Sequence, residues 1–223
     1  MENKENNNLF DTNAPPGITH PLLEEKYAWE EEEVIKFYSC GIKPFHKLSN
    51  FALLKDGIEF DGLIYYSTEH AFQAQKYIKE QRIRFSIEGD LGNIDSGFKL
   101  VFGDEWEKKK KYWMKKENIG IIAKMATNIK IGKKLGLIRD INFTSTDELW
   151  IEILTLKFNI IEFKNILINT KNKYLLEFDR GAKRMYLNNK IQKWSGMIED
   201  GILYGNNLMG KYLMIIRLNL LNL

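Results

Sequence analysis

Short apolar and aromatic runs predict strands near the start of the folded region. These runs lie at residues 34–38, 51–54, 58–60 and 63–66. Asp56-Gly57 separates the second run from the third and is a strong signal for a hairpin turn. The chain then enters residues 67–76, where Ser67 or Thr68 suits a helix N-cap and neither proline nor glycine follows.

Longer patterns with helical spacing follow, and strands return near the end. We predict helices at 98–116, 118–135, 145–160 and 208–218, and strands at 173–178, 192–198 and 202–205. All four prolines lie at or before Pro44, which suits uninterrupted helices beyond it. The fold class is therefore α+β, a mostly helical single domain around a small, mainly antiparallel sheet.

The first 33 residues differ in composition from the rest. They begin with a Glu- and Asn-rich stretch, hold three of the prolines and close on four glutamates. This composition predicts a flexible acidic arm at 1–33, followed by one domain at 34–218 and a tail at 219–223.

The helix predicted at 67–76 carries the most informative polar pattern. Glu69, Gln73 and Lys76 recur at positions i, i+4 and i+7, which places them on one face. A solvated polar face is the ordinary explanation of such a stripe. Because Phe72 and Tyr77 flank it, we favour a site that holds a carboxylate, an amide and an amine.

Composition narrows the function classes. The 223 residues are 44% hydrophobic and 28% charged, as in ordinary globular proteins, and a net charge of +3 does not imply nucleic-acid binding by itself. Cys40 is the one cysteine, and the three histidines add no metal-ligand spacing, so we predict neither a disulfide nor a metal nor a cofactor. No signal peptide or membrane span is recognisable, which predicts a cytoplasmic location.

The basic run Lys108-Lys111 lies among aromatic residues on the predicted helix 98–116. A solvated helix face is the favoured explanation. A phosphate-binding patch remains the alternative, because lysines interleaved with aromatic rings can grip nucleic acid.

Several residues have the chemistry needed to cleave an N-glycosidic bond. A carboxylate such as Glu69 can stabilise the oxocarbenium-like transition state or position water, and a lysine of lowered pKa such as Lys76 can attack the sugar carbon. Trp194 offers a flat ring for stacking a base, and Glu177 offers a further carboxylate. Asn50 and Asn207 offer amide hydrogen bonds. Each of these residues also has a purely structural explanation.

Two ordered motifs lie far apart in the chain. The first motif comprises Phe45, Leu48-Ser49-Asn50-Phe51, Gly62, Tyr66, Glu69-His70-Ala71-Phe72-Gln73 and Lys76. The second comprises Trp194-Ser195-Gly196, Gly205-Asn206-Asn207-Leu208-Met209-Gly210-Lys211-Tyr212-Leu213-Met214 and Arg217. Together they resemble the NADAR domain family of YbiA-like N-glycosidases, over about residues 36–217.

The resemblance implies roles for residues at matching positions. Glu69 and Lys76 match the family's motif glutamate and lysine and are the expected catalytic residues. The expected substrate-binding residues are Asn50, Phe51, Gln73, Glu177, Trp194, Asn207 and Gly210. One departure is Ile191, where many members have an aspartate three residues before the tryptophan. Asp179 or Asp200 could supply that carboxylate.

The resemblance also implies a reaction. Family members hydrolyse N-glycosidic bonds in ribosylaminopyrimidine phosphates or in ADP-ribose attached to guanine. The expected partner is therefore a nucleotide-like small molecule or an ADP-ribosylated nucleic acid. A module that binds ADP-ribose or a nucleotide without cleaving it is the alternative function, and a purely structural protein is a third.

Overall fold

The computed structural model describes residues 33–222, which fall into two compact units. The terminal unit comprises residues 33–38 and 170–222, and the central unit comprises residues 39–169. Apart from Glu33, the arm predicted at residues 1–33 lies outside the described residues.

The terminal unit joins both ends of the described chain. Its elements are β1 (Val34–Phe37), β4 (Tyr174–Glu177), α9 (Ala182–Leu187), β5 (Met197–Glu199), β6 (Ile202–Tyr204) and α10 (Leu208–Leu221). Strands β1 and β4 pair in parallel, with Val34 opposite Tyr174, and α10 packs against β4. Strands β5 and β6 lie within or beside the segments predicted at 192–198 and 202–205 and form a hairpin about Asp200-Gly201.

The central unit holds the remaining helices and one hairpin. Its elements are β2 (Ile58–Phe60), β3 (Leu63–Tyr65), α1 (Thr68–Ala74), α2 (Lys79–Arg82), α3 (Ile94–Phe102), α4 (Trp106–Lys115), α5 (Gly120–Ala126), α6 (Ile129–Lys134), α7 (Asp147–Asn159) and α8 (Ile161–Ile168). Short 3₁₀ turns at Phe45–Leu48, Ile83–Phe85 and Gly103–Glu105 complete the unit.

The first hairpin of the central unit does not form where the sequence predicted it, at Asp56-Gly57, but at the next Asp-Gly pair along the chain. Strands β2 and β3 pair about Asp61-Gly62, whereas 51–54 is not a strand and contributes one isolated bridge, between Ala52 and Asn118. Gly57 has a φ of +74° and does turn the chain, but the segment before it has no partner strand. The Asp56-Gly57 hairpin prediction was therefore wrong.

Two of the predicted long helices are each divided in two. Gly103, at a φ of +56°, separates α3 from α4. Asn128 separates α5 from α6, because its side chain accepts a hydrogen bond from the Lys130 amide and caps the second helix. The capping residue of α7 is Thr146 rather than Ser145.

The strands form three two-stranded sheets in the described chain, not one small sheet. Two of these pairs are antiparallel. The β1–β4 pair is parallel, which requires a long connection, and here that connection includes the whole central unit. The α+β class is confirmed, and the prediction of one shared sheet was wrong. Between residues 33 and 222, no helix is both long and apolar enough to cross a bilayer.

Helix α1 lies in the core of the central unit. All seven of its residues are buried, and it packs against α5 and α7. Glu69 and Gln73 are 4% and 2% exposed, so the solvated-face explanation of the stripe was wrong. By contrast, α4 has no buried residue along its described length, so Lys108–Lys111 lie on a surface helix.

Candidate active site

The first turn of α1 is fixed from two directions. The Ser67 side chain is the N-cap and accepts a hydrogen bond from the His70 amide at 3.2 Å. The backbone carbonyl of Asn50 accepts hydrogen bonds from the Glu69 amide at 3.1 Å and from the Thr68 hydroxyl at 3.2 Å. The segment before β2 therefore sets the position of Glu69.

The Glu69 carboxylate is buried, and the described residues donate a hydrogen bond to only one of its two oxygens. Its Oε1 accepts a hydrogen bond from Gln73 Nε2 at 2.7 Å, as the i, i+4 spacing predicted. Within residues 33–222, its Oε2 accepts no hydrogen bond. Gln73 Oε1 is also buried and has no partner in that range. Glu69 Oε2 is thus the oxygen of this pair that is open to a ligand, whereas Gln73 Oε1 is enclosed.

Helix α5 begins at Gly120, which packs closely against Phe51 and Glu69. An ideal Cβ on Gly120 would lie 2.5 Å from Phe51 Cα and 3.0 Å from Glu69 Cβ, so only glycine fits there. Phe51 holds the start of α5, because its carbonyl accepts hydrogen bonds from the Ile119 and Gly120 amides at 2.9 and 3.1 Å.

Lys76 lies just beyond the end of α1 and is half-buried. Its ammonium is 4.8 Å from the centre of the Phe72 ring. Phe72 in turn stacks on Trp150 at 3.8 Å and meets Phe143 edge-on at 6.0 Å. The Lys76 ammonium thus lies against an aromatic cluster formed by Phe72, Phe143 and Trp150.

Burial moves both titratable groups toward their neutral forms. Desolvation raises the pKa of the Glu69 carboxyl, and Lys124, the Gln73 hydrogen bond and Lys76 oppose this in that order. Desolvation likewise lowers the pKa of the Lys76 ammonium against the attraction of Glu69, while Lys124 and Arg139 lower it further. A protonated carboxyl and a free amine are the forms that acid catalysis and nucleophilic attack require.

Asn50 is 5% exposed and contacts the first turn of α1. Its Oδ1 is 3.4 Å from the Thr68 hydroxyl, which donates to it. Lys157 of α7, fully buried, donates to the carbonyls of Leu48 and Ser49 at 3.3 and 2.7 Å. A buried ammonium therefore anchors the segment that carries Asn50.

The terminal unit gathers four of the other predicted residues. Asn207 is fully buried at the start of α10, and its Oδ1 accepts a hydrogen bond from the Glu177 amide at 2.9 Å. Its Nδ2 donates to Tyr174 Oη at 3.0 Å and to Leu175 O at 2.8 Å. Asn207 stands at the N-cap position of α10, but its side chain joins α10 to β4 and makes no capping hydrogen bond.

Gly210 is explained by the same contact between α10 and β4. An ideal Cβ at this position would lie 2.0 Å from Leu175 O. The glycine therefore allows the backbone of β4 to approach the helix.

Trp194 is half-buried, and the Lys193 ammonium lies 5.1 Å from its ring. Asp179 accepts a hydrogen bond from Gln192 Nε2 at 2.6 Å. This bond places a carboxylate beside the loop that contains Ile191. Asp200 lies instead in the β5–β6 turn with a φ of +51°. That Asp179 or Asp200 supplies a carboxylate to the site stays a prediction.

Sequence reasoning missed Gly120, Lys124 and Lys157. Gly120 and Lys124 are four residues apart on α5 and so lie on one face, which a helical projection could have revealed. Lys157 gave no signal, because it occurs in an otherwise ordinary amphipathic helix.

No protein-family model matches the sequence, and no curated protein matches it. Among solved structures, the chain is similar to the E. coli protein YbiA, whose structure was determined by NMR. The two are 21% identical over 85% of each chain, with a TM-score of 0.48. At this level of similarity, the family stays a prediction.

Proposed function

We propose that this protein is an N-glycosidase, a hydrolase that cleaves the C–N glycosidic bond of a ribosyl or ADP-ribosyl base adduct. The observation that carries the proposal is the Glu69 carboxylate, 4% exposed, with Oε2 open within the described residues and Lys76 close by. The resemblance of the two sequence motifs to N-glycosidases supports the same reaction.

Glu69 can act in both steps of the hydrolysis, which are departure of the base and attack of water. Protonated Glu69 donates its proton to the departing base nitrogen, which takes the electron pair of the broken C1′–N bond. The resulting carboxylate stabilises the oxocarbenium ion and accepts a proton from the attacking water. The products are the free base and a sugar with a C1′ hydroxyl, and Glu69 is again protonated. Desolvation favours the protonated form from which this cycle starts, because it raises the pKa of the Glu69 carboxyl.

Lys76 offers a covalent route to the same products. Its neutral amine attacks C1′ as the base leaves with a proton, and opening of the ribose ring then gives an imine between Lys76 and C1′. Water hydrolyses the imine and releases the sugar. Borohydride reduces such an imine to a stable amine, which distinguishes the two routes.

The charges around Glu69 favour a substrate that bears phosphate. Lys76 and Lys124 act electrostatically on Glu69, and Lys124 and Arg139 act on Lys76, so three cations lie near one carboxylate. Lys124 and Arg139 are exposed and can reach an anion without prior desolvation. Both candidate substrates, the ribosylaminopyrimidine phosphates and ADP-ribosylated guanine, carry phosphate groups.

The alternative function is a module that binds ADP-ribose without cleaving it. The cationic side chains suit that function as well. A buried glutamate adds nothing to the recognition of an anion, whereas cleavage of the C–N bond uses its proton. Glu69 therefore favours the enzyme. The prediction that Glu177, Trp194, Asn207 and Gly210 bind substrate stays a prediction.

The test is a hydrolysis assay with an ADP-ribosylated guanine oligonucleotide and a ribosylaminopyrimidine phosphate in parallel. We expect wild type to release free base from one of them and Glu69→Gln to release none. Lys76→Ala and Lys76→Arg, with borohydride present, test for a trapped adduct. Glu88→Gln, at an exposed acid elsewhere in the central unit, is the matched control. Binding of ADP-ribose without release of base by wild type would favour the binding module.

A further inference from the structure

Arg139 lies beside Lys76 in the central unit, and its side chain is held by two contacts. Its backbone forms an isolated β-bridge with Tyr77. The amide of the next residue, Asp140, donates to the Lys76 carbonyl at 3.0 Å. The guanidinium carbon is 5.9 Å from the centre of the Tyr77 ring, and Nη2 donates to the Thr127 carbonyl at 3.2 Å. The guanidinium therefore has a fixed orientation although the residue is exposed.

Lys124 is connected to the same place through Thr127. The Thr127 hydroxyl donates to the Lys124 carbonyl at 2.9 Å, while the Thr127 carbonyl accepts the bond from Arg139. Lys124 also lies one helical turn after Gly120, whose ideal Cβ would be 3.0 Å from Glu69 Cβ. Residues at i and i+4 share a helix face, so Lys124 lies on the side of α5 that borders Glu69.

Neither of these two cations is neutralised by an acid of the described chain. Between residues 33 and 222, Lys124 makes no ion pair or side-chain hydrogen bond, and Arg139 makes no ion pair and uses one N–H group. Asp140 is engaged elsewhere, because its Oδ2 lies 3.6 Å from Arg82 Nη2 and its Oδ1 accepts a hydrogen bond from the Asn142 amide at 2.9 Å. The Lys124 ammonium and the other guanidinium N–H groups are thus open to an anion.

The electrostatics of Lys76 connect this pair to the candidate active site. Desolvation is the largest cause of the lowered pKa of the Lys76 ammonium, Glu69 opposes it, and Lys124 and Arg139 lower it further. Three like charges near one another are unfavourable until an anion binds among them. A guanidinium matches two oxygens of a phosphate at once, and a lysine adds a point charge, so a phosphate group fits this arrangement.

We propose that Arg139 and Lys124 bind the phosphate group on C5′ of the ribose whose C1′–N bond is cleaved. Arg139 donates two parallel hydrogen bonds to the phosphate, and Lys124 donates a third. This inference rests on the proposed hydrolysis, which places C1′ at Glu69 and Lys76 and so places the phosphate at the other end of the same ribose. The substrate class is then a 5-phosphoribosyl compound. The phosphate is a monoester in a ribosylaminopyrimidine phosphate and part of a pyrophosphate in ADP-ribosylated guanine.

The experiment is calorimetric titration of the full chain with ribose 5-phosphate and with ADP-ribose, and with ribose as the probe that lacks phosphate. We expect saturable binding of a phosphate-bearing probe and at least about tenfold weaker binding of ribose. Arg139→Gln should weaken phosphate binding by about tenfold, and Lys124→Gln by several-fold. Arg139→Lys should recover only part of the loss, because lysine keeps the charge but cannot bind two oxygens in parallel. The tighter of the two phosphate probes identifies the monoester or the pyrophosphate as the group bound.

Lys108→Gln is the matched control, because it removes an exposed lysine of α4, elsewhere in the central unit. Equal weakening in Lys108→Gln would show general charge attraction and overturn the proposal. Unchanged binding in Arg139→Gln, or ribose bound as tightly as ribose 5-phosphate, would also overturn it. A purely structural Arg139 would lower stability in urea denaturation of Arg139→Gln without changing the affinity ratio of ribose 5-phosphate to ribose.

Glu69→Gln separates this proposal from the proposed hydrolysis. It removes the acid and leaves both cations in place, so it should bind ribose 5-phosphate at least as tightly as wild type. If wild type released no base while Arg139→Gln lost phosphate affinity, the phosphate subsite would stand and the N-glycosidase proposal would fail. Release of base by wild type, with equal phosphate affinity in wild type and Arg139→Gln, would have the reverse meaning.

Discussion

Replacing Glu69 by glutamine should stabilise the protein while abolishing its proposed activity. The wild-type carboxyl is buried, and desolvation raises its pKa in the folded state. A group whose pKa is raised on folding binds its proton more tightly in the folded state. Its contribution is therefore favourable at low pH and is lost as the pH rises through the folded-state pKa. Glutamine keeps the shape and has no charge to desolvate.

The magnitude follows from two opposing terms. Each tenfold change in the protonation equilibrium of Glu69 on folding corresponds to about 1.4 kcal/mol of lost stability at neutral pH. The variant recovers that loss. It also exchanges the 2.7 Å charge-assisted hydrogen bond from Gln73 for a neutral one, at a cost of about 1 kcal/mol. At pH 7 we expect the recovered desolvation loss to exceed this cost, so that the variant has the larger free energy of unfolding.

The assay is urea denaturation of wild type and Glu69→Gln at intervals from pH 4 to pH 8. The difference in the free energy of unfolding should be largest near pH 7. It should shrink toward pH 4, where an unfolded-state glutamate with a pKa of about 4.3 is largely protonated. Glu88→Gln should show no such pH dependence, because that side chain is exposed.

The opposite result would refute the reasoning. If Glu69→Gln were less stable than wild type at pH 7 and matched it at pH 4, the ionised carboxylate would stabilise the fold. Attraction by Lys124 and Lys76 would then outweigh desolvation. Glu69 would be an ordinary buried ion-pair residue, unsuited to act as a general acid at neutral pH.

Three further predictions concern other residues. Lys124→Gln should raise KM for a phosphate-bearing substrate. It should also shift the alkaline limb of the rate profile, where Glu69 loses its proton, to higher pH, because Lys124 gives the largest opposition to the raised pKa of Glu69; kinetics from pH 5 to pH 8 test both effects. Gly210→Ala should lose about 2–4 kcal/mol in urea denaturation, because its Cβ would meet Leu175 O. Thr146→Ala should lose about 1 kcal/mol in the same assay, because its hydroxyl caps α7.

The polar pattern of α1 was predictable because it depends on local geometry. The spacing of Glu69 and Gln73 fixes their hydrogen bond once the helix forms, and the Ser67 cap fixes where the helix begins. Burial of that face was only hinted at by the neighbouring aromatic residues. It depends on α5 and α7, which are distant in sequence.

The strand pairing could not be read from the sequence for the same reason. Two Asp-Gly turns follow each other before α1, and both have the local conformation of a turn. Only the turn at Asp61-Gly62 is flanked by two segments that pair as strands. The parallel partner of β1 is β4, far along the chain, and no local signal specifies that pairing.

The close approach of Gly120 to Phe51 and Glu69 has a consequence for recognising related proteins. A chain with any larger residue at this position must move α5 away from α1, and the glutamate would then lose its cover. Proteins that keep both motif residues but lack this glycine should hold the carboxylate in a wetter environment, with a pKa nearer the ordinary value. Gly120 is thus a sequence marker for the buried form of the site, and it lies outside both motifs.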